Sequence, residues 1–480
     1  MIEELLFLFL PFVMAVVVAL TVSVMALTHY RVVARIPSDV RIALLLAVLA
    51  AGAMTTVAIG PRMLNEKLFK PEFVYASDSA AGFMTSRVLS ALIVGAALVE
   101  IARGWREAIR RQWHDPAWPV VLGVAAYYFG TLLFQAVGSD HPAFSPRSLY
   151  VPVVLLAACL LRVDRLDRTV ETAKWCIFAC ALGSLGMALV RPDFALSSPY
   201  SGWLPGIKFR LFGLAPHANA LGPIVLVGLL LELHMPSSRR AVRWAHLGAA
   251  LLVLLLAQSK TAWVAAVAIA LVTWGPLNVL PATHPRLQAR AFSRAAITLI
   301  VALLSAAAVA VTAAWVDIAG FFERNPSLLT LTGRFDIWAI TLEEWRKNIF
   351  FGYGPELWSV PYRQALNMLH VGQAHNQFVQ TLGDSGLLGM SMLLAFLGSL
   401  LFVGVRCFRA SRGLVLALVV LLLARCVTEA SLRTEGLLTW TTFINVLLVV
   451  SACHFLRRVE QPRAAALPES PFGAVLHRGA

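Results

Sequence analysis

The stretch HNQFVQTLGDSGLLGMSMLLAFLGSLLFVGVR, residues 375–406, places a short polar segment directly before a long apolar one. The apolar part has about 20 residues, which is enough to cross a hydrocarbon core of ~30 Å at ~1.5 Å per residue. Polar side chains beside such a segment are costly unless they meet internal partners or a substrate. We therefore expect His375, Asn376, Gln377 and Asp384 to face a functional site at the mouth of a membrane span.

Apolar runs of this length recur along the whole chain. Of its 480 residues, 59% are hydrophobic and only 14% are charged. Backbone groups inside a bilayer must be hydrogen-bonded within the protein, and repeated long apolar runs therefore indicate helices. We predict an all-α, polytopic bundle of 12–13 transmembrane helices. Thirteen apolar runs are centred near residues 16, 50, 94, 127, 155, 181, 225, 250, 270, 304, 395, 421 and 446.

Basic residues are concentrated in every second connection between these runs. Those connections hold 24 of the 40 lysines and arginines but only 10 of the 26 acidic residues, so the net charge of +14 lies on one side. Cytoplasmic loops carry such an excess. This distribution predicts a periplasmic N-terminus and a cytoplasmic C-terminus, and it explains the basic composition without a nucleic-acid partner.

The spacing of the runs divides the chain into three parts. Residues 1–190 form N-terminal transmembrane helices, residues 191–460 form a second membrane unit, and residues 461–480 are predicted to be a disordered cytoplasmic tail. A long exterior loop, residues 316–374, separates the tenth and eleventh spans. Within it, Phe335 to Asn348 has the apolar spacing of an amphipathic helix with tryptophans on its apolar face. The loop is therefore expected to be a folded cap over the bundle.

Several chemistries are not indicated. The six cysteines fall in spans or on the predicted cytoplasmic side, which argues against a disulfide framework. The chain contains no Walker A, GxGxxG, DxD or HExxH motif, so we expect neither nucleotide-driven chemistry nor a metal site.

Two cations stand at points where an anion could bind. Lys260 lies between Ser259 and Thr261 at the tight turn of LLLAQSKTAWVAAV, and Arg334 begins the amphipathic helix of the loop. A lysine at a helix end can also simply extend its amine to the membrane interface. The free backbone N–H groups of a helix start attract anions, however, and a guanidinium beside them adds positive potential.

A second polar group precedes the seventh span. In FRLFGLAPHANALG, Arg210 is followed by His217 and Asn219, and a structural role and a binding role are about equally expected for Arg210. Near the end of the twelfth span, Arg425 and Glu429 have the spacing of an ion pair within one helix, and we interpret that pair as structural.

His375 is the predicted proton acceptor. A neutral imidazole has a pKa near ~6.5 and can take a proton from a hydroxyl group at ordinary pH. A lone histidine at a helix start more often bonds only to backbone. Here the motif AHNQF follows a folded loop with cations, which favours a functional role, with the Asn376 amide as a contact for hydroxyl groups.

Three motifs together resemble a known family. SKTAW, LTGRFDIWAITLEEWRKNIFFGYG and AHNQFVQTLGDSGLLG, in this order, are similar to the O-antigen ligase and polymerase superfamily over about residues 200–405. The resemblance implies catalytic roles for His375, Arg334 and Lys260. From the residues themselves we expect substrate contacts from Ser259 and Asn376, within these motifs, and from Arg210, His217 and Asn219, before the seventh span. Many ligases have arginine where this chain has Lys260, which keeps the charge but loses bidentate phosphate geometry.

The resemblance implies an enzyme of the bacterial inner membrane. It would transfer a glycan from a polyprenyl-pyrophosphate carrier to a sugar acceptor at the periplasmic face, with no metal, cofactor or nucleotide sugar. The motif LTGRFDIW…GYGPELW favours a repeat-unit polymerase. The alternatives are a ligase that attaches the glycan to lipid A–core, a polysaccharide flippase or exporter, and a scaffold in an envelope assembly complex. The expected partners are the lipid-linked donor, the acceptor and the bilayer.

Overall fold

The computed structural model describes residues 36–59, 80–110, 115–200, 204, 207–279, 334–369, 371–434 and 436–465. The predicted spans centred near residues 16 and 304, the first part of the long loop and the predicted tail from residue 466 onward lie outside the described residues.

Helices dominate the part of the chain that the structure describes, as the apolar runs predict. A two-residue antiparallel pair of strands, β1 (Leu196–Ser197) and β2 (Arg210–Leu211), interrupts them. The helices in chain order are α1 (Ser38–Ile59), α2 (Ala80–Arg110), α3 (Trp118–Val137, with a π-helical turn at Ala125–Phe129), α4 (Tyr150–Leu160), α5 (Asp167–Val190), α6 (Ala218–His234), α7 (Arg240–Ala257), α8 (Lys260–Val279), α9 (Arg334–Lys347), α10 (Val360–Ala365), α11 (Gln377–Arg406), α12 (Leu414–Thr428) and α13 (Trp440–Ala465).

Seven helices in the described residues are long and apolar enough to cross a membrane. They are α1, Ser86–Glu107 of α2, α3, α5, α7, α11 and Trp440–Glu460 of α13. Four shorter segments among the described residues are also helical and apolar. They are Pro146–Leu160, which includes α4, and α6, α8 and α12. Eleven of the thirteen predicted centres fall within these elements, which supports a multi-pass membrane protein.

The bundle is held together by close packing between neighbouring helices. Helix α6 packs along α7, α1 along α5, α2 along α4, and α11 along α12. Side chains at these contacts, such as Leu46, Val154, Leu231 and Leu418, are completely buried. Because lipid tails are as apolar as these side chains, helix association depends on this fit rather than on exclusion of water.

Helix α11 is broken at Gly386, where the long loop is inserted against it. Gly386 has a φ of 62°, and a β carbon there would lie 2.3 Å from the carbonyl carbon of Phe350. Beyond the break, the N–H groups of Leu387 and Leu388 donate to the carbonyls of Ile349 and Phe350, at 2.9 and 3.2 Å. The loop and the span are therefore joined through backbone, and only glycine fits at the junction.

Residues 334–369 and 371–376, here called the cap, form a small folded unit at one end of the bundle. The predicted amphipathic helix is present as α9, and α10 follows it. Ile337, Leu357, Trp358, Val371 and Ala374 make the apolar core of the cap. The cap is thus packed against α11 by a core of its own, which fixes the chain on either side of the predicted site residues.

The opposite end of the bundle holds two clusters of partly or fully buried charges. Lys174 Nζ lies 3.2 Å from a carboxylate oxygen of Glu232, which also contacts His246 Nδ1 at 3.3 Å. Arg457 Nε lies 3.0 Å from Asp115 Oδ1. These charges compensate one another, as groups removed from water require.

Candidate active site

The predicted site residues lie at helix ends that meet beneath the cap. Helices α6, α8, α9 and α11 begin there, while α7 and α12 end there. Each helix start presents the positive end of its dipole. The meeting point is therefore favourable for negative charge before any side chain is considered.

Glu429, the residue directly after α12, is the centre of a hydrogen-bond network at this point. Its Oε2 accepts from His375 Nδ1 at 2.8 Å and from Gln373 Nε2 at 2.9 Å. Its Oε1 lies 3.4 Å from Asn219 Nδ2 and 3.8 Å from Arg334 Nη2. One carboxylate thus joins the cap, the start of α6 and the end of α12.

The charge state of Glu429 is fixed by these partners. Burial raises the pKa of its carboxyl, but the hydrogen bond from His375 and the nearby charges, including that of Arg334, outweigh burial and leave the pKa below its ordinary value. Glu429 is therefore a carboxylate at neutral pH and accepts, rather than donates, in each of its contacts.

His375 is oriented by this carboxylate. Because Glu429 accepts from Nδ1, the proton of the neutral imidazole is assigned to Nδ1, and the lone pair of Nε2 is left to accept a proton. The residue has a φ of 48°, which is unusual for a residue with a side chain. About a third of the side chain, 32%, is exposed. A carboxylate–imidazole pair with an accessible Nε2 is suited to general-base chemistry.

Arg334 supplies a cation beside this pair. It is the first residue of α9, its guanidinium is near the Glu429 carboxylate, and 22% of its side chain is exposed. The long 3.8 Å approach leaves donor positions of the fork for a second anionic group. The structure therefore brings the predicted Arg334 and His375 to the same carboxylate.

Arg210, His217 and Asn219 lie on the other side of the network. Arg210 donates to Asn219 Oδ1 at 2.7 Å and to the Ala257 carbonyl at 3.2 Å, and its guanidinium lies 4.8 Å from the ring centre of Tyr200. Asn219 then donates to Glu429. Arg210 is therefore linked to the site through Asn219, and most of its donors face protein groups.

His217 directly precedes α6 and is neutral at physiological pH. Its Nδ1 accepts from the backbone N–H of Asn219 at 3.0 Å, and its ring lies 4.7 Å from that of Phe212. Removal of the ring from water and the charge of Arg210 lower the pKa of His217 to about 4. It adds no positive charge to the site at neutral pH.

Ser259 and Lys260 lie at the turn between α7 and α8. Ser259 is buried, and its side chain faces Gly222 of α6, where a β carbon would approach to 2.5 Å. Lys260 is exposed and begins α8. It is two residues from Gln258, whose carbonyl lies 3.4 Å from Arg210 Nη2. The turn thus adjoins the network through Arg210, while the role of Lys260 stays a prediction.

The other polar residues of the opening stretch have partners within the protein. Asn376 caps α11, accepting from the N–H groups of Phe378 and Val379 and donating to the Val427 carbonyl at 3.2 Å. Gln377 donates to Tyr127 Oη at 3.0 Å. Gln380 donates to both carboxylate oxygens of Asp384 at 2.9 Å. Of the four residues expected to face a site, His375 is the one that the Glu429 network includes, and sugar binding by Asn376 stays a prediction.

The predicted pair between Arg425 and Glu429 is wrong. Arg425 donates instead to Thr441 Oγ1 at 3.1 Å, and no ion pair within 4.0 Å joins it to Glu429 in the described residues. The chain leaves the helix at Glu429, which has a φ of −150°, so the helical spacing does not apply to this pair. Glu429 and Gln373 are the residues that sequence reasoning missed. The available signal was an acidic residue at the outer end of a span, where ionisable groups are usually functional.

The arrangement supports transfer of a group that departs as an anion. A base, its orienting carboxylate and a partly exposed guanidinium lie together at helix starts, which stabilises developing negative charge. Among the described residues, no group of three or more His, Cys, Asp or Glu side chains is placed to hold a metal ion.

Comparison with known protein families gives a match over part of the chain. No curated protein sequence shows significant similarity to the chain. Residues 245–394, which include Lys260, Arg334 and His375, match the sequence profile of the O-antigen ligase family. This match confirms the predicted resemblance to the O-antigen ligase and polymerase superfamily over these residues.

Proposed function

We propose that this protein transfers a glycan from a polyprenyl-pyrophosphate carrier to a sugar hydroxyl at the extracytoplasmic face of the bacterial inner membrane, as a repeat-unit polymerase. The observation that carries the proposal is the contact of His375 with Glu429 at 2.8 Å, with Arg334 beside the same carboxylate. The family match supports glycosyl transfer in general.

The reaction needs one proton transfer and one leaving group. The acceptor hydroxyl oxygen attacks the anomeric carbon, its proton passes to His375 Nε2, and the bond from that carbon to the pyrophosphate oxygen breaks. Polyprenyl pyrophosphate leaves with the electron pair. Attack from the face opposite the leaving group inverts the anomeric centre.

The chain's own residues have distinct tasks in this scheme. Glu429 holds the proton on Nδ1 of His375 and stabilises the imidazolium that forms, as the carboxylate does in other carboxylate–histidine pairs. Arg334, aided by Lys260, stabilises the charge that develops on the pyrophosphate. Arg210 and Asn219 keep the carboxylate in place from the side of α6.

The location of the polar groups near helix ends favours an enzyme over a transporter. A flippase would be expected to keep its ionisable residues in a cavity at the middle of the bilayer. Here His217, Arg334, His375 and Glu429 lie within two residues of a helix start or end. Arg210 lies in β2 and donates to the carbonyl of Ala257 at the end of α7.

A deletion strain complemented with the wild-type gene or with His375→Ala tests the proposal through glycan length on gels. Loss of a polymerase leaves single repeat units, loss of a ligase leaves long chains on the carrier lipid, and loss of an exporter leaves lipid-linked glycan facing the cytoplasm. We expect single repeats in the deletion strain and in His375→Ala. Full-length polymer with His375→Ala would remove the assignment of the base.

A further inference from the structure

A row of three aromatic rings crosses the cap away from the Glu429 network. The ring centres of His141 and Tyr353 are 4.2 Å apart, and those of Tyr353 and Tyr362 are 5.2 Å apart. His141 is exposed, while Tyr353 and Tyr362 are half-buried. This aromatic row, His141, Tyr353 and Tyr362, combines residues from two separate parts of the chain and is not used by the proposed mechanism.

Polar groups with fixed positions border the aromatic row. Glu344 accepts from Tyr362 Oη at 3.1 Å and from Lys347 Nζ at 2.7 Å. Asn348 Nδ2 donates to Asp140 Oδ1 at 3.1 Å. Carboxylate and amide groups at these positions can accept from and donate to hydroxyl groups at the edge of a ring stacked on the aromatic row.

The aromatic row is held rigidly to the rest of the cap. The N–H of His141 donates to the Tyr353 carbonyl at 2.8 Å, and the N–H of Tyr353 donates to the Gly383 carbonyl of α11 at 2.7 Å. Rigid aromatic side chains offer a large contact area at a small cost in conformational entropy. The aromatic row therefore has its binding geometry before a ligand is present.

The position of the aromatic row relative to the candidate site indicates the path that a bound glycan would follow. Glu344 is ten residues after Arg334 on α9, which is roughly 15 Å along a helix axis. A glycan with one end at His375 could therefore extend over α9 to the aromatic row.

From these observations we infer that the aromatic row is a binding surface for a glycan chain, several sugars away from the reacting one. The inference rests on the proposed function and adds a subsite to it. The apolar faces of sugar rings pack on aromatic rings, while sugar hydroxyls meet Asp140, Glu344 and Asn348. The carboxylates disfavour the alternative occupant, an anionic lipid surface.

The test measures binding of oligosaccharides to the full-length protein in nanodiscs. The probes are fragments of one to four repeat units, prepared by partial acid hydrolysis of the strain's own polysaccharide. For the wild type we expect tighter binding as the fragment lengthens. In His141→Ala and in Glu344→Gln, the longer fragments should bind about tenfold more weakly, while the single repeat binds as before. Phe144→Ala, which removes an exposed ring from the loop that carries His141, is the matched control.

Transfer assays on the same samples separate this inference from the proposed function. We expect His141→Ala to raise the acceptor KM with kcat unchanged, and His375→Ala to abolish transfer while it binds long fragments normally. Transfer by the wild type with equal affinities in His141→Ala, Glu344→Gln and Phe144→Ala would overturn the subsite alone. No transfer by the wild type would overturn the proposed function.

Discussion

Glu429 lies between two partners, His375 and Arg334, that compete for its negative charge. His375 Nδ1 approaches to hydrogen-bond distance, whereas Arg334 Nη2 stays at 3.8 Å. A closer arginine would neutralise the carboxylate and weaken its hold on the imidazole. The observed distances leave the stronger contact with His375 and keep Arg334 available to a bound anion.

Glu429→Gln should reduce transfer because the amide keeps the shape of the carboxylate but not its charge. Removing the carboxylate partner of a functional imidazole costs from roughly 10-fold to 10⁴-fold in other proteins. We expect kcat to fall about 100-fold with acceptor KM nearly unchanged, as measured with purified protein and lipid-linked donor. Glu356→Gln, on the exposed surface of the cap, is the control. Equal rates in the two variants would contradict the role of Glu429.

The lowered pKa of Glu429 also predicts how stability depends on pH. A carboxyl whose pKa is lower in the folded state stabilises the protein above the unfolded pKa of about 4.3, and this contribution is lost as the pH falls through the folded value. The Tm of the wild type should exceed that of Glu429→Gln at pH 5, and the gap should narrow as the buffer is made more acidic than this. Glu343→Gln, an exposed carboxylate on α9, should show no gap. A gap that widens as the pH falls below 5 would contradict the assignment.

At the level of single residues, the sequence predicted functional side chains more readily than the contacts between them. His375 and Arg334 could be predicted because a histidine and an arginine at helix starts stand out in an apolar chain. Glu429 could not be assigned, because Arg425 offered it a partner at helical spacing. Whether α12 ends before Glu429 depends on packing, and helix ends are the least predictable part of an element.

Helix α11 and the cap are coupled where the helix is broken. The glycines of GYGP and Gly386 allow two stretches of backbone to approach without side chains between them. His375 begins the chain segment that leads into this helix, so the position of the predicted base depends on a junction eleven residues away along the chain.

Gly386→Ala should therefore destabilise the protein and impair transfer. Alanine at a φ of 62° is strained, and its β carbon would collide with the Phe350 backbone. We expect a loss of stability of about 1–3 kcal/mol, seen as a lower Tm of the purified protein. Gly398→Ala in the same helix, where a β carbon meets nothing within 4 Å, should be neutral or slightly stabilising. Similar losses in both variants would show that the break is not the cause.

The two tryptophans of α9 offer a second test of how the cap positions the base. Trp338 Nε1 donates to the carbonyl of Ala374, the neighbour of His375, at 2.7 Å. Trp345 Nε1 donates at 3.0 Å to the Ile349 carbonyl, which also accepts from Leu387. Trp338→Phe should lower transfer about fivefold, the equivalent of ~1 kcal/mol for one hydrogen bond, while Trp345→Phe should retain the wild-type rate. The reverse order of rates would contradict this account.

The elements themselves were largely predictable. Eleven apolar runs coincide with helices, and the amphipathic spacing after residue 334 coincides with α9. The break in α11 was not predictable, because a glycine within an apolar run is tolerated in membrane helices and gives no signal by itself. It became visible only through the backbone of the loop that is inserted there.

Over the whole molecule, the two ends of the bundle differ in how their charged side chains are paired. At the end opposite the cap, Arg457 with Asp115, and Lys174 with Glu232, form compact compensated pairs. At the cap end, Arg334 is partly exposed and shares Glu429 with a histidine. Basic connections predict that the first end is cytoplasmic, so the proposed chemistry requires the cap to lie on the other side of the membrane.

Single cysteines at the two ends can test this orientation directly. The six native cysteines are buried or half-buried, so a membrane-impermeant maleimide should label the unsubstituted protein weakly. Ala365→Cys lies at an exposed position on α10, and Ser238→Cys lies at an exposed position between α6 and α7. In intact spheroplasts we expect labelling of Ala365→Cys at once and of Ser238→Cys only after the membrane is permeabilised. The opposite pattern would place His375, Arg334 and Glu429 on the cytoplasmic side, where a donor already carried across the membrane could not reach them.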